Sequence, residues 1–155
     1  MSLDPASPQH LTPRVIPDMN VLLNGITGRP DSLNRRLYGQ FTRGLVRFVI
    51  CEPWLEEFER VLTYPPVLQL GITPTLVSRT MRELLLLGEY IAPVPQFDWP
   101  GLSDRNDWFL LDLLWESQAD ALVTQDTKVH RYGQKFGMPI LKPGELIKSG
   151  ILEPR

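Results

Sequence analysis

Short, nearly continuous apolar runs separated by helix-like segments form the main pattern in this chain. Three of them, RVI from residue 14, VRFVIC from residue 46 and ALVTQ from residue 121, are rich in β-branched or aromatic side chains and predict strands. YIAPV is a further candidate as a short strand or an edge, and PIL as a last strand. Because the runs lack strict alternation, we expect strands buried on both faces, as in a parallel sheet.

Helix start and stop signals lie between these runs. Ser32 and Thr73 are suitable N-cap residues, and Gly44 and Gly137 are suitable stops. Asp104 is a candidate cap for the segment RNDWFLLDLLWESQ, which is apolar on most sides and therefore predicted to be buried. PWLEEFERVL and PGELIKSG predict two more helices, each with a proline in its first turn.

This alternation of strand and helix signals predicts an α/β fold, in particular a three-layer α/β/α sandwich around a mostly parallel central sheet. We expect one domain over residues 14–149, a flexible tail over residues 1–13 and a C-terminal tail over residues 150–155. Pro17 has no N–H to donate, so it is tolerated only at the end of the first strand.

An acidic residue follows two of the predicted strands, Asp18 after the first and Asp126 after ALVTQ. In a parallel sheet the carboxyl ends of the strands meet at one edge, where ligand sites form. Predicted helices that begin near this edge add Glu56 or Glu57 and Asp107. Carboxylates that share a partly buried cleft must take up protons or bind cations. An all-oxygen site suits Mg²⁺ or Mn²⁺, and its typical chemistry is metal-assisted phosphodiester hydrolysis.

Composition narrows the class of protein only slightly. The net charge of −2, from 18 acids and 16 bases, argues against a generally basic nucleic-acid binder but allows an enzyme that touches phosphates locally. The single cysteine, Cys51, excludes an internal disulfide and a multi-cysteine zinc site. No apolar run approaches the roughly 18 residues that a membrane span needs, and no export signal is visible. We expect a cytoplasmic protein without membrane association.

Three segments, which together hold four motifs, carry a resemblance to a known family. VIPDMNVLL, LEEFERVL and DRNDWFLLDLLWESQADALVTQD, the last holding two motifs, resemble in this order the motifs of PIN domains, whose fold is similar to that of the 5′ nucleases. The resemblance runs from about Arg14 to Ile147 and is especially close to a branch of toxins from toxin–antitoxin pairs. It implies a metal-dependent endoribonuclease that acts on RNA, is held in check by a cognate antitoxin protein and forms a homodimer.

The resemblance also implies roles for individual residues. It places the catalytic, metal-binding acids at Asp18, Glu57, Asp107 and Asp126. Asn20 matches a residue that orients the first acid by hydrogen bonding, and Thr124 matches a hydroxyl that contacts the metal or its water. Met19 departs from the pattern, because Thr is frequent at this position of the motif. The difference removes one polar contact near the first acid.

Two of these positions stay open. Glu56 could replace Glu57, although Glu57 precedes the apolar Phe58 as the acid of the motif usually does. Asp104 could replace Asp107, or support it as a helix cap. Asp112 lies five residues into the same helix and is expected to point away from the cleft as a structural or surface acid.

A basic segment follows the last acid of the pattern. It is either a phosphate-contacting flank beside the metals or a solvated helix face. Its members are Lys128, His130, Arg131 and Lys135.

The alternative function for the whole chain is a non-catalytic PIN-fold module that acts through a protein or RNA partner, and the presence of all four acids argues against it. A phosphoacceptor receiver domain needs an adjacent acid pair after the first strand, where only Asp18 occurs.

Overall fold

The computed structural model describes residues 12–102 and 108–152. Most of the predicted N-terminal tail lies outside these ranges, as do two acids predicted for the site, Asp104 and Asp107. Their predicted roles as helix cap and metal ligand therefore remain predictions.

Five parallel strands form the sheet, in the order β3-β2-β1-β4-β5. They are β1 (Arg14–Pro17), β2 (Arg47–Ile50), β3 (Glu89–Tyr90), β4 (Ala121–Val123) and β5 (Ile140–Leu141). The first strand lies at the centre, and its register with β4 ends with Pro17 opposite Val123. The chain segments that follow β1 and β4 therefore leave the sheet side by side. The predicted α/β sandwich with a parallel central sheet is confirmed.

Helices flank this sheet and connect its strands. None of those in the described ranges is both long and apolar enough to cross a membrane. They are α1 (Met19–Thr27), α2 (Leu33–Thr42), α3 (Glu52–Val61), α4 (Pro65–Leu68), α5 (Pro74–Leu87), α6 (Phe109–Ser117), α7 (Thr127–Phe136) and α8 (Pro143–Lys148).

Local signals in the sequence account for most helix ends. The Ser32 hydroxyl accepts a hydrogen bond from the Arg35 N–H at 3.1 Å, and Thr73 does the same at the start of α5. Gly137 ends α7 in the left-handed conformation, with φ = 67°, which glycine adopts without steric cost. Helix α1 was not predicted, because its segment is apolar on most sides and carries no clear helical period.

The core is continuous across the sheet. Val15 and Ile16 of β1 and all of β4 are fully buried, which explains why these strands lack alternation. Ile151 and Leu152 also pack against the core. The domain boundary predicted at residue 149 stays a prediction.

Gly133 sets the distance between α7 and β5. A Cβ atom at this position would lie 2.6 Å from the Ile140 Cβ. We expect Gly133→Ala to lower the free energy of unfolding, because a steric cost of about 1–3 kcal/mol exceeds the gain in helix propensity. Urea denaturation measures the change.

Gly39 provides the matched control for this substitution. It also lies within a helix, α2, but a Cβ there meets no atom within 4 Å. Gly39→Ala should therefore stabilise the protein by about 0.5–1 kcal/mol. If both variants were stabilised equally, the close approach of α7 to β5 would be refuted.

Candidate metal centre

Asp18 lies at the carboxyl end of the central strand and is the N-cap of α1. Its backbone N–H donates to the carbonyl oxygen of Val123 at 2.9 Å, which holds it against the end of β4. Its Oδ1 accepts from the Met19 N–H at 2.7 Å, and its Oδ2 accepts from the Thr124 hydroxyl at 2.6 Å. The carboxylate is thus fixed in position by backbone and side-chain donors.

The Thr124 hydroxyl links Asp18 to the second acid of the pattern. Thr124 is fully buried, and besides donating to Asp18 it accepts a hydrogen bond from the Asp126 N–H at 3.0 Å. Asp126 is the N-cap of α7, and its Oδ1 accepts from the N–H groups of Lys128 and Val129. One hydroxyl group therefore joins the acids that follow β1 and β4.

Glu57 reaches the same place from helix α3. The indole Nε1 of Trp54 donates to the carbonyl oxygen of Pro17 at 2.7 Å, a buried hydrogen bond that ties α3 to the residue before Asp18. Glu57 lies three residues further along α3, and with Asp18 and Trp54 it lines a cleft of about 140 Å³. Glu56 is exposed and lines an adjoining cleft.

Arg60 already neutralises Glu57. Its Nη2 lies 2.6 Å from each carboxylate oxygen of Glu57, and its Nε lies 3.1 Å from Oε1. The guanidinium also lies over the ring of Tyr64, 5.3 Å from its centroid, and donates to the Tyr64 hydroxyl. Both carboxylate oxygens of Glu57 are therefore engaged by Arg60.

The environment of Asp18 disfavours its charged form. Burial raises the pKa of its carboxyl group, and hydrogen bonds from Thr124 and Met19 oppose this shift. The negative charges of Asp126 and Glu57 raise the pKa further. A cation beside Asp18 would remove both the desolvation cost and this repulsion.

This shift gives a stability prediction for the metal-free protein. Because the folded-state pKa of Asp18 lies above its ordinary value of 3.8, the contribution of this group is fully present below that value. It is lost as the pH rises through the folded-state pKa. The neutral amide introduced by Asp18→Asn has no proton to lose in this range, so in EDTA the variant should become more stable than the wild type with rising pH. Urea denaturation at several pH values tests this, and parallel pH profiles would contradict it.

The donors fit a hard divalent cation in kind, since they are carboxylate oxygens and a hydroxyl. Within residues 12–102 and 108–152, however, no three His, Cys, Asp or Glu side chains lie close enough together to hold one ion. The described donors therefore match a divalent ion in kind, but by themselves they do not form a complete site for one.

Asn20 occupies a different environment from the one its motif implies. It is exposed on the first turn of α1. In the described part of the chain, Asp18 takes its side-chain hydrogen bond from Thr124. The orienting role that the resemblance implies for Asn20 stays a prediction.

The basic segment on α7 is divided between surface and core. Lys128, Arg131 and Lys135 are exposed, whereas His130 is only 6% exposed and its Nε2 lies 2.7 Å from Glu145 Oε1. The His130 ring joins α7 to α8, and its predicted contact with RNA stays a prediction. The three exposed cations remain candidates for phosphate contacts.

Sequence reasoning placed Asp112 away from the cleft. In the structure it is buried, and its Oδ1 accepts from the Phe97 N–H and the Trp99 Nε1–H, each at 2.9 Å. It also lines the adjoining cleft of about 360 Å³ beside Glu57. The signal in the sequence was the place of Asp112 between two pairs of leucines in α6, and its partners lie 13 and 15 residues earlier.

The fold and the site define a parallel α/β protein with an acidic pocket at the carboxyl edge of its sheet. The PIN-domain family model matches residues 14–128, and the chain belongs to this family, whose members are typically metal-dependent nucleases. The comparison with curated proteins gave no match. Family membership implies a nucleic-acid substrate.

Proposed function

We propose that this protein is a Mg²⁺- or Mn²⁺-dependent endoribonuclease that hydrolyses RNA phosphodiester bonds. The observation that supports this most is the Thr124 hydroxyl, which joins Asp18 to Asp126 beside Glu57 at the edge of a PIN-domain sheet. Burial raises the pKa of the Asp18 carboxyl group, and the negative charges of Asp126 and Glu57 raise it further, as expected where acids share a functional site.

In this proposal the protein positions the groups that hold the ion. Asp18, Glu57 and Asp126 bind it, together with Asp107. A bound divalent ion lowers the pKa of a water molecule and stabilises charge on the leaving oxygen. Thr124 fixes the orientation of Asp18, and Trp54 fixes the approach of α3 and thus of Glu57.

The exposed cations of α7 complete the proposal for RNA. Lys128, Arg131 and Lys135 follow Asp126 on the same helix and face solvent. Cations in this place position the phosphate backbone without reading the base sequence. They also offset the negative potential of the acids, which would otherwise repel RNA.

The test uses end-labelled structured and single-stranded RNAs with the purified protein. We expect cleavage in Mn²⁺ or Mg²⁺ and none in EDTA, with the wild type compared to Asp126→Asn in the same preparation. Binding of Mn²⁺ without cleavage of any RNA in the panel would contradict the proposal. Full function in Asp126→Asn would instead support a non-catalytic binding module.

The biological role proposed for this activity is that of a cytoplasmic toxin controlled by an antitoxin protein. It rests on the resemblance of the motifs to the toxin branch of the family. Induced expression should arrest growth, and Asp126→Asn should relieve the arrest. Growth arrest of equal depth with both proteins would contradict an RNase toxin.

A homodimer is proposed as well. The end of α5 exposes three consecutive leucines, Leu85, Leu86 and Leu87, which are 59%, 75% and 43% exposed. An apolar surface of this kind favours association. Light scattering coupled to gel filtration should give twice the chain mass, and a monomer at micromolar concentration would contradict this.

A further inference from the structure

One side of helix α7 combines cations with aromatic rings. Five residues at the spacings i, i+3, i+4, i+7 and i+8 lie along this side and form what we call the α7 stripe. They are Lys128, Arg131, Tyr132, Lys135 and Phe136. The three cations and Phe136 are exposed, and Tyr132 is partly buried. The stripe therefore faces solvent, in contrast to the buried side of the same helix.

Three aromatic rings lead from the core to the end of the stripe. The ring of Trp108, a residue that is only 8% exposed, lies 5.5 Å from the ring of Tyr132, centroid to centroid. The Tyr132 ring in turn lies 4.7 Å from that of Phe136, which is 41% exposed. The Tyr132 hydroxyl donates to the carbonyl oxygen of Pro100 at 2.7 Å and fixes the middle ring. The last ring is thus held from below and has open surface.

The two lysines of the stripe lie beside these rings. The Nζ of Lys128 is 5.9 Å from the centroid of the Trp108 ring, and the Nζ of Lys135 is 5.4 Å from that of Phe136. Contacts of this kind are weak at exposed sites. Each lysine can therefore exchange its ring for a stronger anionic partner without moving far.

The charge of α7 differs from that of the whole chain. Its sequence, TKVHRYGQKF, contains no Asp or Glu, although the chain has a net charge of −2. A local cationic surface attracts polyanions. An acidic peptide would satisfy the cations, but a nucleotide also supplies a flat base, which stacks on an aromatic ring. The combination therefore favours RNA as the ligand of this surface.

We propose that the α7 stripe is a base-stacking site for RNA, in which Phe136 holds an unpaired base and Lys128 and Lys135 hold neighbouring phosphates. This inference rests on the proposed function, because it requires an RNA substrate, but it requires no metal ion. Phe136 lies ten residues beyond Asp126, which is about 15 Å along the helix. The stripe therefore binds nucleotides at a distance from the acids, and it favours strands whose bases are free to stack.

RNA affinity in the absence of metal tests the site. The probes are a fluorescent oligouridine, which does not pair with itself, and an RNA duplex of the same length, and binding is followed by anisotropy in EDTA. Phe136→Leu keeps an apolar side chain but has no aromatic face. It should bind the oligouridine about five- to tenfold more weakly than the wild type and the duplex equally well.

Two further variants serve as controls. Phe136→Trp keeps an aromatic face and should bind the oligouridine at least as tightly as the wild type. Tyr90→Leu removes another exposed ring, 48% exposed, from β3. This strand lies at the opposite edge of the sheet from β5, against which α7 packs, so both affinities should stay unchanged. Thermal melts of all variants check that the fold is intact.

The salt dependence of binding separates stacking from charge. Lys135→Gln should reduce the slope of log affinity against log salt concentration by about 0.7 for the oligouridine, because one phosphate contact is lost. Phe136→Leu should lower the affinity at every salt concentration and leave the slope unchanged.

The outcomes separate this inference from the proposed function. Weaker oligouridine binding by Phe136→Leu but not by Tyr90→Leu, with duplex binding unchanged, supports the stacking site. Wild-type affinity of Phe136→Leu for the oligouridine, or an equal loss for the duplex, overturns it even if the wild type cleaves RNA. A wild type that cleaves RNA but binds neither probe in EDTA also overturns it. If the wild type neither binds nor cleaves any RNA, the proposed function fails and the stacking site fails with it.

Discussion

Asp18→Asn is expected to lower the kcat/KM for Mn²⁺-dependent RNA cleavage by more than about a hundredfold, since even residues that only support a metal ligand typically cost 10–100-fold. The substitution removes the negative charge of Asp18 from a site to which Asp126 and Glu57 also contribute negative charge. Steady-state cleavage of one labelled RNA measures the loss.

The variant should nevertheless fold. Asn is as good an N-cap as Asp, so the start of α1 is preserved. Removing a carboxylate whose pKa is raised by burial should even stabilise the metal-free protein at neutral pH. Asp31→Asn, which neutralises an exposed acid beyond the end of α1, is the control and should keep its activity. An Asp18→Asn variant with near wild-type cleavage would rule out this carboxylate as a ligand.

The second large effect is expected at Trp54. Trp54→Ala should lower the free energy of unfolding by about 3–5 kcal/mol, because it empties a fully buried site in the core. Trp54→Phe keeps an aromatic ring but leaves the carbonyl oxygen of Pro17 without its buried donor, which costs about 1–3 kcal/mol. Urea denaturation compares the two variants with the wild type.

This prediction also has a functional part. Because Trp54 ties α3 to the end of β1, its loss should loosen the position of Glu57 relative to Asp18. Trp54→Phe is therefore expected to weaken Mn²⁺ binding under conditions where it is still folded. Stability equal to the wild type in both variants would show that the indole contact does not hold α3 in place.

The sheet was predictable because its strands are distinct apolar runs in the sequence, bounded by turn or helix-start residues. Asp18 and Asp126 were placed together for the same reason, since parallel strands that end in acids bring them to one edge. Helix α1 was missed, because an apolar stretch with few polar positions does not show whether its period is helical.

The contacts that shape the site depend on three-dimensional placement and were harder to predict. The hydrogen bond from Thr124 to Asp18 spans 106 residues, and that from Trp54 to Pro17 spans 37. His130 of α7 is buried and contacts Glu145 of α8. Its basic neighbours in the sequence gave no indication of this burial. The Glu57–Arg60 pair was visible in principle, because its members are three residues apart on one helix.

The most direct test of the acidic centre is a crystal of the protein soaked in Mn²⁺ and measured at the manganese absorption edge. We expect an anomalous difference peak that contacts the carboxylates of Asp18 and Asp126, with Glu57 turned away from Arg60 toward the ion. A peak elsewhere on the molecule, with Glu57 still paired to Arg60 and no density beside Asp18, would contradict it.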